Sequence, residues 1–116
     1  MKNRLLEISA NIGLAVLLIT PAAAEPFAGD AIERYRLGDP AMFAFLAGDL
    51  NGLVWANLEL RSNHHAELFC VPADVVVSVQ QAVEMMAKRI KDNSAEGQVP
   101  VGSLMLQGFK ESFPCK

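Results

Sequence analysis

The sequence has little of what catalytic and nucleic-acid-binding domains usually display. Its cations are few, 10 Lys and Arg against 13 Asp and Glu. They form no basic stripe, so there is no footprint for nucleic acid or an anionic membrane surface. There are two histidines, adjacent at His64-His65, and two cysteines. Neighbouring histidines point in different directions, Glu67 is the one nearby acidic candidate, and a structural zinc wants four ligands, so no metal site is expected. No glycine-rich phosphate loop occurs, and Ser62, Ser94 and Ser103 lie in no nucleophile-elbow sequence. Without an assembled nucleophile, base and orienting group, no catalytic residue and no cofactor are expected. Met85-Met86 reads as gap-filling rather than as a copper site. Internal repeats and low-complexity tracts are also lacking. The β-branched run Val75-Val76-Val77 has no partner strand, so it reads as the lead into a helix.

What is present begins at residue 1. Lys2 and Arg4 make a short positive region, the run from Ile12 to Ile19 is apolar, and Pro21 with Ala22-Ala23-Ala24 follows. That is the pattern of a secretory signal peptide over residues 1–24, with cleavage after Ala24 and a mature chain 25–116. As a helix, an eight-residue run spans about 12 Å against a hydrocarbon core of about 30 Å, so a membrane anchor is disfavoured. No Arg-Arg pair marks the twin-arginine route, and no cysteine near the cleavage site marks a lipoprotein. Without its leader the chain keeps 8 Lys and Arg against 12 Asp and Glu, a net charge of −4. Residues 25–116 make one domain, small enough for a crosslink to help.

Helical signals dominate that domain. Residues 25–38 read as an irregular or short helical lead, with one or two turns over 31–36. Asp39-Pro40 is an N-cap followed by proline at the first helical position. Phe43, Leu46, Leu50, Leu53, Val54 and Asn57 then follow helical spacing to an end near Leu60–Asn63. Met42, Phe45 and Trp55 widen the apolar surface, which predicts a central helix touched on several sides. Gly48 and Gly52 share one face at a cost of about 1 kcal/mol each relative to alanine, which predicts close approach of another backbone. Residues 61–75 read as a loop. Ser78 and Gln81 fit a capping box, and Val79, Val83, Met86 and Ile90 form the stripe of a helix ending at Asp92-Asn93-Ser94. Lys88, Arg89 and Lys91 suit the negative end of its dipole. After a polar loop, 92–99, the last helix carries Gly102, Met105, Leu106, Phe109 and Phe113 and stops at Pro114. The fold class is all-α, a bundle of three to four helices.

An even pair of cysteines in an oxidising compartment reads as one disulfide, here Cys70 to Cys115, which would clip the bundle. Closing a loop with 44 intervening residues is worth about 4 kcal/mol on the chain-entropy account. An intermolecular bridge or two free thiols are the alternatives.

One stretch resembles a family. Ala47-Gly48-Asp49-Leu50-Asn51-Gly52-Leu53, then Phe69-Cys70-Val71-Pro72, a helix, Pro100-Val101-Gly102 and a terminal Phe113-Pro114-Cys115 look like the Rap/Tai group. These are small periplasmic helical proteins that include immunity proteins for type VI secretion amidase effectors. The resemblance covers Met42 to Lys116. Asp49 stands where members often carry an aromatic, and the further disulfide many of them have is missing. The resemblance implies a periplasmic protein that binds a peptidoglycan amidase, acting as a homodimer that offers a loop to the catalytic groove. The matching loop is 92–99, with Asn93, Ser94, Glu96 and Gln98 as contact residues. The alternative is a periplasmic envelope factor, chaperone-like or structural, without an immunity role. In neither case is the mature chain inserted in a membrane.

Overall fold

The computed structural model describes residues 24–116; the expected leader, up to residue 23, lies outside the described residues. Four α-helices follow in order: α1 (Ala28–Arg36), α2 (Pro40–Ser62), α3 (Val79–Asp92) and α4 (Val101–Ser112), with a 3-10 turn at Ser94–Gln98 between the last two. Among the described residues there is no strand, only an isolated bridge between Phe27 and Pro100.

Local chemistry accounts for the boundaries. The Asp39 carboxylate accepts from Ala41 N at 2.9 Å and Met42 N at 3.2 Å, which satisfies two orphan donors at the start of α2. Arg34 holds its other oxygen at 2.7 Å, and that guanidinium, with the backbone donors, lowers the Asp39 pKa. At α3 the capping box forms reciprocally: Gln81 N donates to Ser78 Oγ at 3.2 Å, and Ser78 N donates to Gln81 Oε1 at 2.9 Å. The N-terminal lead is more regular than expected. Helix α1 runs nine residues because Ala28, Ala31 and Ile32 bury one face in the core.

The core gathers those residues with Met42, Leu46 and Leu50 of α2, Val83 and Met86 of α3, and Leu104, Met105 and Phe109 of α4. Phe69, from the loop after α2, packs against Phe109 with ring centroids 4.6 Å apart. On α4 the buried face is turned from the expected one. Leu104 and Gly108 are buried, whereas Gly102, Leu106 and Phe113 are half-buried. Gly108 is the cause: a Cβ there would stand 3.2 Å from Met85 Cβ, so its absence lets α3 settle close to α4.

Within the described chain, α2 differs from expectation in two ways. The helix is not touched on several sides. One face lies on the core, and the other leaves Trp55 71% and Phe45 38% exposed. Among the described residues of one chain, no other backbone approaches Gly48 or Gly52, since a Cβ at either would meet nothing within 4 Å. Close approach occurs instead at Gly108 and at Gly29, whose Cβ would meet the Gly97 carbonyl oxygen at 3.2 Å. By length and composition α2 is the one described helix apolar enough to cross a membrane, with 22% of that window buried.

The disulfide forms between Cys70 and Cys115, with Cα atoms 4.9 Å apart. It ties the loop after α2 to the chain just beyond α4, beside a backbone bond from Cys70 N to Phe113 O at 2.8 Å.

Candidate functional site

The segment between α3 and α4 is short, polar and fixed at both ends. Its expected contact residues do not all face outward. Asn93 is the cap of the 3-10 turn, its side-chain oxygen accepting from Ala95 N at 3.3 Å. Glu96 is engaged internally. Arg89 Nε and Nη2 donate to its two carboxylate oxygens at 2.8 and 2.7 Å, a bidentate pair. Arg89 Nη1 also donates to Glu111 at 2.7 Å. The Glu96 carboxylate is therefore part of the scaffold, which corrects its expected role as a group free to reach a partner. Arg89 keeps its charge firmly through Glu96 first and Glu111 next, and Glu111 is held below the usual carboxylate range by Arg89 and then Lys88. Ser94, Ala95 and Gln98 are exposed.

Beneath the turn, Gly97 is buried against Gly29 of α1. Ala28 N donates to Val99 O at 2.9 Å, and Val101 N donates to Pro26 O at 3.1 Å. The turn is thus gripped by α1, by α3 through Arg89, and by the N-terminal strand-like residues. A loop held in this way loses little entropy when it docks.

The second loop, 63–78, is organised by Asn57, the one buried polar side chain among the described residues, 4% exposed. Its amide nitrogen donates to Phe69 O at 2.8 Å, and its oxygen accepts from Leu68 N at 2.7 Å and from Phe69 N at 3.4 Å. Arg61 and Glu67 pair at 2.7 Å beside it. His64 and His65 are exposed, with His64 in the left-handed region at φ 59°. Among the described residues, no group of three or more His, Cys, Asp or Glu comes together as a metal ion would need.

A third polar cluster was not legible as such in the sequence. Glu25 accepts a hydrogen bond from Gly102 N at the start of α4, where the helix dipole favours a carboxylate. Asp49 of α2 lies on the same spot: a Cβ on Gly102 would stand 3.3 Å from its Oδ2. That Oδ2 is buried without a hydrogen-bond partner. Burial raises the Asp49 pKa, and repulsion from Glu25 adds to the rise. An aspartate flanked by the apolar residues of the first half of α2 was the available signal.

Open grooves run along two seams. One, about 780 Å³, lies between α1 and α3, lined by Ile32, Glu33, Arg36, Glu84, Lys88 and Lys91 among others. Another, about 380 Å³, lies under the 71–77 segment against Leu50, Val54 and Phe109. No family model, curated protein or solved structure matches the chain.

Proposed function

We propose that residues 25–116 form an exported periplasmic binding protein that silences a peptidoglycan amidase by presenting the 3-10 turn between α3 and α4 to its groove. The reading rests on the motif resemblance around Cys70 and Cys115. The observation that best supports it is the anchoring of that turn. The Arg89–Glu96 pair, the Gly29–Gly97 contact and the Ala28–Val99 hydrogen bond hold an exposed polar tip in one shape. Ser94, Ala95 and Gln98 form the contact surface, while Asn93 and Glu96 keep the tip folded. The disulfide suits an oxidising compartment such as the periplasm.

The test substitutes the tip without touching its anchors. The Ser94→Arg, Gln98→Arg double variant should keep the melting temperature of the parent and weaken inhibition of the target peptidoglycan amidase at least tenfold, about 1.4 kcal/mol. Undiminished inhibition by this variant would remove the turn from the interface. The second reading, an envelope factor of chaperone-like or structural kind, draws on the apolar outer face of α2, where Trp55 is exposed.

A further inference from the structure

The two grooves differ in charge. The larger one, between α1 and α3, is rimmed by both signs, Glu33 and Glu84 beside Arg36, Lys88 and Lys91. The groove of about 380 Å³ under residues 71–77 has one ionisable side chain among the described residues that line it, the cation Arg61. The rest of its wall is aliphatic or aromatic apart from Asn51 and Asn57. Asn57 is already saturated: its amide nitrogen donates to Glu67 and to Phe69 O, and its oxygen accepts from Leu68 N. It leaves no unpaired polar group halfway along the wall.

The wall also has a direction. Leu50, Val54, Leu58 and Arg61 follow at spacings of 4, 4 and 3, so they share one face of α2. Leu50 is buried at one end, and the Arg61 side chain is 54% exposed at the other. Arg61 Nε and Nη2 both donate to Glu67 Oε1, at 3.0 and 2.7 Å. Its Nη1 has no partner among the described residues. Opposite α2, the strap 71–77 is fixed at one end by the disulfide at Cys70 and at the other by the capping box at Ser78. The rim remains apolar in water, with Leu58, Val75 and Val76 all exposed.

We propose that this groove binds one fatty carboxylate, its aliphatic chain along Leu50, Val54 and Leu58 and its head on Arg61. An apolar wall ending in a single cation is complementary to a molecule with an apolar tail and a single anionic end. The guanidinium is planar and permanently charged, and its unpaired Nη1 edge suits a carboxylate. Leu50 to Arg61 spans about 16 Å of helix, the length of an extended acyl chain of about 12 carbons. A volume of about 380 Å³ lies at the small end of ligand pockets and takes one such chain rather than two. The bound chain would cover the exposed Val75 and Val76, which the core leaves unexplained. The site stands apart from the 92–99 turn, and its test uses no amidase.

The experiment is calorimetric titration of residues 25–116, with the disulfide intact and lipid removed, using sodium dodecanoate as the probe. A dissociation constant on the order of 10 µM is expected. Octanoate should bind about a hundredfold more weakly, because four methylenes leave the groove. Dodecyltrimethylammonium has the same tail and the opposite charge, and should bind at least about tenfold more weakly than dodecanoate. The comparison is a strict one, since the net charge of −4 on residues 25–116 would favour the cation. Arg61→Gln should weaken dodecanoate about tenfold, and Arg61→Lys, which keeps the charge, should recover most of that loss. Leu58→Trp fills the groove and should abolish binding with an unchanged far-UV circular dichroism spectrum, since Leu58 is 37% exposed. Absence of binding at about 1 mM dodecanoate, a free energy too small for a built site, overturns the proposal. Equal affinity for the cationic amphiphile, or for the Arg61→Gln variant, overturns the assignment of the head to Arg61. Binding that survives Leu58→Trp places the chain outside this groove and overturns the site.

Discussion

Gly29 of α1 lies against Gly97 of the 3-10 turn so closely that a Cβ on Gly29 would stand 3.2 Å from the Gly97 carbonyl oxygen. The glycines of this chain thus divide by neighbourhood rather than by helix position. Gly29→Ala and Gly108→Ala push a methyl group against backbone or against Met85 Cβ. Each should destabilise by about 1–3 kcal/mol. Gly48→Ala and Gly52→Ala meet open space within one chain and should stabilise the monomer by about 1 kcal/mol each through helix propensity. Urea melts at low micromolar concentration check all four. Loss of stability in the α2 pair would mean that another group packs against them in the folded chain.

The disulfide and Asn57 hold the same loop from two sides. Reduction, or Cys70→Ser, should cost about 2–5 kcal/mol, the range for a native bridge in a small secreted domain. Asn57→Ala strands the Leu68 N–H and the Phe69 carbonyl and should cost on the order of 2 kcal/mol. Because both act on residues 67–70, the double variant should cost less than the sum. Strict additivity in a double-mutant cycle would show that the two act independently.

Asp49 should be a stability liability at neutral pH. Its folded pKa is raised above the unfolded value by burial and then by Glu25. A carboxyl of that kind is best tolerated when protonated, so its contribution is full at low pH and is lost as pH rises through the folded pKa. Asp49→Asn should therefore raise the melting temperature at pH 7 and leave it unchanged near pH 3, below the ordinary range for aspartate. Melting curves of parent and variant at both pH values decide this. Equal melting temperatures at pH 7 would mean that Asp49 is better solvated than its position between α2 and α4 implies.

Much of the frame was legible because it rests on local rules. Asp39-Pro40 and Ser78 with Gln81 are signals complete within four residues, and both helices begin where they indicate. The bridge followed from there being only two cysteines. What the sequence concealed depends on neighbours distant in the chain. Helix α2 is apolar on both faces, so periodicity could not separate the core-facing Leu46 and Leu50 from the outward Phe45 and Trp55. The glycine pair was assigned a close neighbour on cost alone, yet the tight sites are Gly29 and Gly108, whose neighbours come from other elements. At the candidate site the polarity of 92–99 was plain. The capture of Glu96 by Arg89, seven residues earlier, was not, because that pairing depends on the chain reversing after Asp92.

The most direct test of the inhibitory reading is a titration. Peptidoglycan hydrolysis by a type VI secretion amidase of the kind the resemblance implies is followed while residues 25–116, with the disulfide intact, are added. The account predicts that activity falls to zero near one chain per amidase. Undiminished activity at a tenfold excess would contradict it.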